Sequence, residues 1–404
     1  MKFRSYLFIS VIILSLFAGI VEAEVQPLTC GPDKASNPFW SLDGDRIVFL
    51  SFDADSGNTD IQVMNADGSE KKQLTSNISA DIFFSNPWSP PDGQKLLFIS
   101  DRSGAYDLWS MNPDGSGKNQ LTTGGANIVP WLHGPAGYGG AAWSPQGDRI
   151  AYTSCWYENE EIRDTTTDGQ GNGLESANFS KIRREADIWV MNSDGGEKQR
   201  LTTSGSARQP AWRPHGDEIV YLFFRLEGNE IRIMQDDGSE ERCLTSVGEN
   251  VGTFDWSPPD GNSITYNTIT LVTNATQFSS ALWTINADGG HKQQLTYGNL
   301  DSSPVFSPDG DRIAFTSQSR APPSSLFVMN SDGTDLVGLA PGYLNFDTVQ
   351  WSPDGKNLAV SNGKEVYVIP LESPATAGGG GPVSILIIAV TGIVTIAFSS
   401  RKWE

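Results

Sequence analysis

Hydrophobic and polar positions divide the chain into three stretches. Residues 6–21 form a charge-free, mostly apolar run behind Lys2 and Arg4, and residues 383–398 form a second one. Everything between them is broken into short β-rich segments, and a tight-turn motif punctuates these at regular intervals. The motif stands at Trp40-Ser-Leu-Asp-Gly, Trp88-Ser-Pro-Pro-Asp-Gly, Trp143-Ser-Pro-Gln-Gly and Trp212-Arg-Pro-His-Gly. It returns at Trp256-Ser-Pro-Pro-Asp-Gly, Phe306-Ser-Pro-Asp-Gly and Trp351-Ser-Pro-Asp-Gly. The seven copies are spaced 48, 55, 69, 44, 50 and 45 residues apart. Ser, Pro and Gly are the residues a type I turn selects at its first, second and fourth positions, Pro because its φ is already set.

After each turn comes a strand-forming run such as Arg46-Ile-Val-Phe-Leu-Ser51 or Arg312-Ile-Ala-Phe-Thr-Ser317. A second run leads into an Asn-x-Asp-Gly turn, as in Val63-Met-Asn-Ala-Asp-Gly68 and Val190-Met-Asn-Ser-Asp-Gly195, and a short segment then ends in Leu-Thr. Asp-Gly between β runs marks a hairpin. Each unit is therefore four antiparallel strands. A lone sheet of this size cannot cover both its faces, but sheets stacked around a ring cover one another, and the repeated Trp fills the gap between neighbours. The predicted fold class is all-β, a seven-bladed β-propeller of four-stranded antiparallel blades over residues 24–371. The seventh unit stops at Glu365-Val-Tyr-Val-Ile-Pro370 without a Leu-Thr strand, whereas Gln26-Pro-Leu-Thr29 stands unassigned ahead of the first Trp. The N-terminal strand is thus expected to complete the last blade and leave no free edge.

The combination W-S-P-D-G, I-A-F-x-S, D-I-x-V-M-N-x-D-G and L-T resembles the TolB family of propellers and the related WD-like repeats, across residues 25–371. The resemblance implies the fold. It also implies a docking platform for another protein, although related propellers accompany catalytic domains such as the prolyl oligopeptidases. TolB proteins carry a further N-terminal α/β domain, which is not expected here because blade strands begin close behind residue 23.

Both ends read as targeting segments. Residues 1–23, ending Val21-Glu22-Ala23, have the form of a secretory signal peptide. Residues 372–381 form a Gly-rich linker. Residues 382–400 would make a transmembrane helix of about 28 Å at 1.5 Å per residue. Arg401-Lys402 behind it place the 401–404 tail in the cytoplasm. The expected protein is single-pass and cell-surface, with the propeller outside; the sequons at Asn77, Asn178 and Asn274 suit that location. A net charge of −20 repels phosphate backbones and argues against nucleic acid as a partner. Cys30, Cys155 and Cys243 have neither metal-ligand spacing nor the number for a disulfide framework.

Function is expected on the face holding the variable connections, from strand two to three and from strand four to the next blade. The third blade has two insertions there, 123–140 and 155–186. They carry Trp131, His133, Tyr138, Trp156 and Tyr157, which read either as binding anchors for protein or glycan or as loop packing. Within the second insertion, Asp164, Thr166, Asp168, Gln170, Asn172 and Glu175 fall at the ligand positions of an EF-hand-type calcium loop, with Gly169 at its sharp turn. Thr166 and Gly171 depart from that pattern, and flanking helices are expected at 158–163 and 174–185; a polar loop without calcium is the other reading. Catalysis has little support: no Gly-x-Ser-x-Gly elbow occurs, and His215 and His291 fall at turns on the face opposite His133. The expected function is a non-catalytic cell-surface platform that binds another envelope or extracellular protein. A carbohydrate-binding or carbohydrate-cleaving surface propeller, working through carboxylates at the channel mouth, is the alternative.

Overall fold

A computed structural model of the chain describes residues 26–371 apart from 77–78, 84, 124–139, 163–178, 273–276, 298, 319–324 and 340–345, together with 388–389. Seven antiparallel sheets follow one another in chain order. The first consists of Lys34–Trp40, Arg46–Phe52, Thr59–Asn65 and Lys72–Gln73, paired in that order. The Trp–Gly turn folds strand one onto strand two, as when Gly310 N–H donates to Ser307 O at 2.8 Å. The Asn-x-Asp-Gly turn folds strand three onto strand four, as when Gly333 N–H donates to Asn330 O at 2.9 Å. The two kinds of turn touch each other, with Ala66 N–H donating to Asp45 O at 2.8 Å and Ser193 N–H to Asp148 O at 2.7 Å. They share one face of the disc, and the other connections occupy the opposite face.

Ring closure follows the expected splice. The last sheet has three strands of its own, Thr348–Trp351, Asn357–Ser361 and Val366–Pro370. The N-terminal segment supplies the fourth: Pro27 bridges Tyr367, and Leu28 N–H donates to Val366 O at 2.7 Å. The same bond recurs in every other blade, for example from Leu74 to Ile61 and from Leu339 to Leu326.

The repeated tryptophans form the inter-blade core, none of them more than 8% exposed. In four of them the indole N–H crosses to the preceding blade, Trp143 to Pro87 O at 3.1 Å, Trp212 to Ala142 O at 3.2 Å, Trp256 to Ala211 O at 3.4 Å and Trp351 to Val305 O at 3.1 Å. Phe306 has no such donor. At that junction the carboxylate of Asp255 reaches across instead and accepts the backbone N–H of Phe306 at 2.8 Å.

Blade three departs from the expected organisation. Its second and third strands, Arg149–Ile162 and Phe179–Asn192, stay paired over 14 residues each, so the described parts of the 155–186 insertion, 155–162 and 179–186, form a β-ladder rather than a loop. The expected helices at 158–163 and 174–185 are replaced by this ladder over 158–162 and 179–185. Its register sets Glu158 opposite Arg183 and Glu160 opposite Lys181. Blade five has a shorter version, Ser263–Val272 against Gln277–Asn286. The membrane helix expected over 382–400 lies outside the described residues except at 388–389. Ile388–Ala389 are extended and pair with Val337–Gly338, and no helix among the described residues is long and apolar enough to cross a membrane.

Candidate functional site

The variable face over blades four and five carries four large apolar side chains in water. Leu226 is fully exposed, Tyr297 is 70% exposed, Val247 63% and Phe278 58%. Leu226 sits in the connection between strands two and three of blade four, and Val247 in the connection from blade four to blade five. These two connections lie against each other, with Val251 N–H donating to Asn229 O at 3.0 Å. Phe278 stands in register with Leu271 near the tip of the blade-five hairpin, and Tyr297 lies in the next connection. The long hairpins of blades three and five extend past the strand ends of blade four between them. Each is braced by the outgoing connection: Ala186 N–H donates to Gly205 O at 2.9 Å and Ser280 N–H to Asn299 O at 2.7 Å. Apolar side chains in water forgo roughly 25 cal/mol per Å² of possible burial, so a rim of this kind marks a contact surface.

Beneath the rim, the ionisable groups are committed to structure. Strand three carries an aspartate in blades one to three, Asp60, Asp107 and Asp187, and it accepts the hydroxyl of the Leu-Thr threonine. Thr122 donates to Asp107 at 3.0 Å and Thr202 to Asp187 at 2.8 Å. Arginines neutralise buried carboxylates: Arg200 pairs with Asp187, Arg225 Nε with Glu230 Oε1 at 2.9 Å, and Arg102 with Asp81 at 2.8 Å. Two carboxyls titrate high because burial disfavours their charged form, Asp255 on the innermost strand of blade five and Asp347 just ahead of that of blade seven. Asp347, which accepts Ser361 Oγ at 2.7 Å, is raised. Asp255 keeps some accessible surface as a residue, yet its carboxyl is enclosed, and it is pushed up to about 7 despite the backbone N–H groups of Phe306 and Trp256. These carboxyls do not gather: among the described residues, no group of three or more His, Cys, Asp or Glu could hold a metal ion.

Of the expected site residues, Trp156 and Tyr157 lie on the extended second strand of blade three, opposite Glu185 and Arg184. Trp131, His133, Tyr138, the set from Asp164 to Glu175, and Asn77, Asn178 and Asn274 lie outside the described residues. His215 and His291 sit in turns, both with positive φ. The exposed quartet of blades four and five was missed in the sequence. Large apolar residues also stand in other connections, such as Trp131 and Leu132 or Tyr343 and Leu344, so the sequence alone does not single out Leu226, Val247 and Tyr297.

Residues 20–182 and 185–376 match the family described as TolB beta propeller domain. The chain belongs to that family. A relative from Bacillus subtilis (strain 168), named Uncharacterized peptidase YuxL, is 24% identical over 249 residues, which is 61% of this chain and 31% of the relative. The chain thus spans about a third of that relative's length. A solved oligogalacturonate lyase in complex with manganese superposes at TM-score 0.64 with 17% identity, covering 87% of this chain and 95% of the lyase. The Pyrococcus horikoshii acylaminoacyl peptidase superposes at TM-score 0.55 with 15% identity, covering 84% of this chain and 52% of the peptidase. At these identities the superpositions establish the fold.

The comparisons correct the expectation of a non-catalytic protein-binding platform and of a protein that is no enzyme, because the relative and both structures are enzymes, two peptidases and a lyase. The physical reason for the miss lies in the repeat. Blade consensus residues are spent on turns, ladders and inter-blade packing, so a missing elbow motif and scattered histidines say little about what a propeller serves.

Proposed function

We propose that the chain is the propeller of a peptide-hydrolysing enzyme, taking up oligopeptides on the variable face over blades four and five. Leu226, Val247, Phe278 and Tyr297 contact apolar side chains of the peptide, and the long hairpins of blades three and five flank it. The observation that carries this reading is the coincidence of a peptidase relative with an uncovered apolar rim. Burying such a rim under an extended peptide is favourable in proportion to the area covered. A lyase acting on acidic sugars is the weaker reading: a chain of net charge −20 repels a polyanionic substrate at long range.

The test is calorimetric titration of oligopeptides of mixed apolar and polar sequence, and separately of oligogalacturonate, into the wild-type chain and into Leu226→Asp and Tyr297→Ala. Peptide binding weakened about tenfold or more by either substitution is the expected result. Peptide binding indifferent to both, or turnover of oligogalacturonate without peptide binding, would overturn the proposal.

A further inference from the structure

On the opposite face, arginines cover the repeated tryptophans of the next blade at four junctions. Arg46 lies 5.3 Å from the Trp88 ring, Arg149 4.9 Å from Trp212, Arg213 5.9 Å from Trp256 and Arg312 4.8 Å from Trp351. Three of these, Arg46, Arg149 and Arg312, open the second strand of their blade. Where blade seven meets blade one, that position is Asn357, and among the described residues no cation lies over Trp40.

A cavity of about 450 Å³ opens at this junction. Its lining includes Trp40 and Asn357 and four carboxylates, Asp43, Asp45, Asp67 and Asp354, and no Lys, Arg or His. Arg46 and Lys356 act on Asp43 and Asp354 from outside the lining. Three of the carboxylates are held through one oxygen. Asp43 Oδ1 accepts Ser41 Oγ and Asp45 N–H, Asp67 Oδ1 accepts the hydroxyl and N–H of Ser69, and Asp354 Oδ1 accepts Ser352 Oγ and Lys356 N–H. Hydrogen bonds from the neighbouring serines hold all three below the usual carboxylate range, so they are ionised at neutral pH.

Trp40 supplies the independent observation. It is only 6% exposed, and its indole N–H is buried with no acceptor, whereas Trp143, Trp212, Trp256 and Trp351 each donate to the preceding blade. Trp88 also lacks an acceptor, but Arg46 already covers its ring.

We propose that this cavity receives an arginine side chain from a partner polypeptide, its guanidinium over Trp40 and against the aspartates, with a partner carbonyl accepting the Trp40 indole N–H. The four occupied junctions are internal precedents for that geometry. Arginine is favoured over lysine because a planar guanidinium stacks on an indole and donates to two oxygens at once. The site is on the face opposite the apolar rim and does not depend on the peptidase reading.

The experiment titrates acetyl-Gly-Arg-Gly-amide, and the same tripeptide with lysine or uncharged citrulline in the centre, into the full chain at low ionic strength. Saturable binding of the arginine peptide is expected, with the lysine and citrulline peptides about tenfold weaker or worse. Asn357→Arg fills the slot from within, as in three other blades. It should abolish binding while leaving the melting temperature at or above wild type. Asp354→Asn, at a turn surface, should weaken binding without unfolding the chain, and it decides the matter should Asn357→Arg fail to fold. Absence of saturable binding, equal affinity for the arginine and lysine peptides, or undiminished binding by folded Asn357→Arg or by Asp354→Asn would overturn the proposal.

Discussion

The hydroxyl of Thr29 accepts the backbone N–H of Val366 at 2.9 Å, and 337 residues separate the two. In blades one to five the same bond joins residues 14 apart, such as Ile61 to Thr75 and Leu282 to Thr296. The local chemistry is identical, but only the Thr29 bond also holds the ring shut. Thr29→Ala leaves a buried N–H unpaired and should lower the unfolding free energy by about 1–3 kcal/mol. Urea midpoints should fall at least as far as for Thr296→Ala, whose loss cannot open the ring. A midpoint equal to wild type would count against the closure.

Asp187 gathers several bonds on one buried carboxylate. Its buried carboxylate accepts Thr202 Oγ1 at 2.8 Å and Gly205 N–H at 3.1 Å and pairs with Arg200. Asp187→Ala strands these partners and should cost about 3 kcal/mol or more. Asp194→Ala, which removes only an exposed turn bond to Gly196, should cost no more than roughly 0.5 kcal/mol. Equal losses in the two variants would refute the buried network.

Glycine is required at Gly310 for two separable reasons. Its φ is +77°, and an added Cβ would clash with the carbonyl oxygen of Pro258 in the preceding blade's turn. Gly57 has φ of +73° with open space around it. Gly57→Ala therefore reports backbone strain alone, about 1–2 kcal/mol. Gly310→Ala should lose more, and the difference measures how tightly adjacent turns pack. Thermal unfolding of both variants checks it.

Stability should depend on pH through Asp255. Its carboxyl is pushed up to about 7 from an ordinary 3.8, so the folded state holds a proton that the unfolded chain releases. The stabilisation is complete below about pH 4 and is lost as pH rises through about 7. Asp255→Asn stays neutral and can still accept the Phe306 N–H. The wild type minus variant difference should therefore fall between pH 4 and 7 and flatten above. Parallel stability curves across that window would show that Asp255 titrates normally.

How legible was the molecule? The blades were readable because turn chemistry is local: Ser-Pro-Asp-Gly and Asn-x-Asp-Gly specify their own geometry, and Gln26-Pro-Leu-Thr29 could be matched to an empty place. The blade-three hairpin was misread because 158–162 and 179–185 carry charge on both sides and show no alternation of apolar with polar. The pairing shows only once Glu158 and Glu160 are set against Arg183 and Lys181. The rim at Leu226 and Val247 and the cavity at Trp40 were harder still. Each depends on which connections or blades become neighbours, and Asn357 stands out only when aligned with the arginines of other blades.

The splice at Thr29 also sets an order of events during synthesis. Strand four of the last blade is made first and its partner last, so Leu28 and Thr29 must wait for Val366. At 5–20 residues per second the interval is roughly 20 to 70 seconds. Blades one to six can form in turn as they emerge, each against its predecessor, while the founding strand stays unclaimed. The ring is therefore a timed assembly, in which the earliest segment to appear is among the last to find its place.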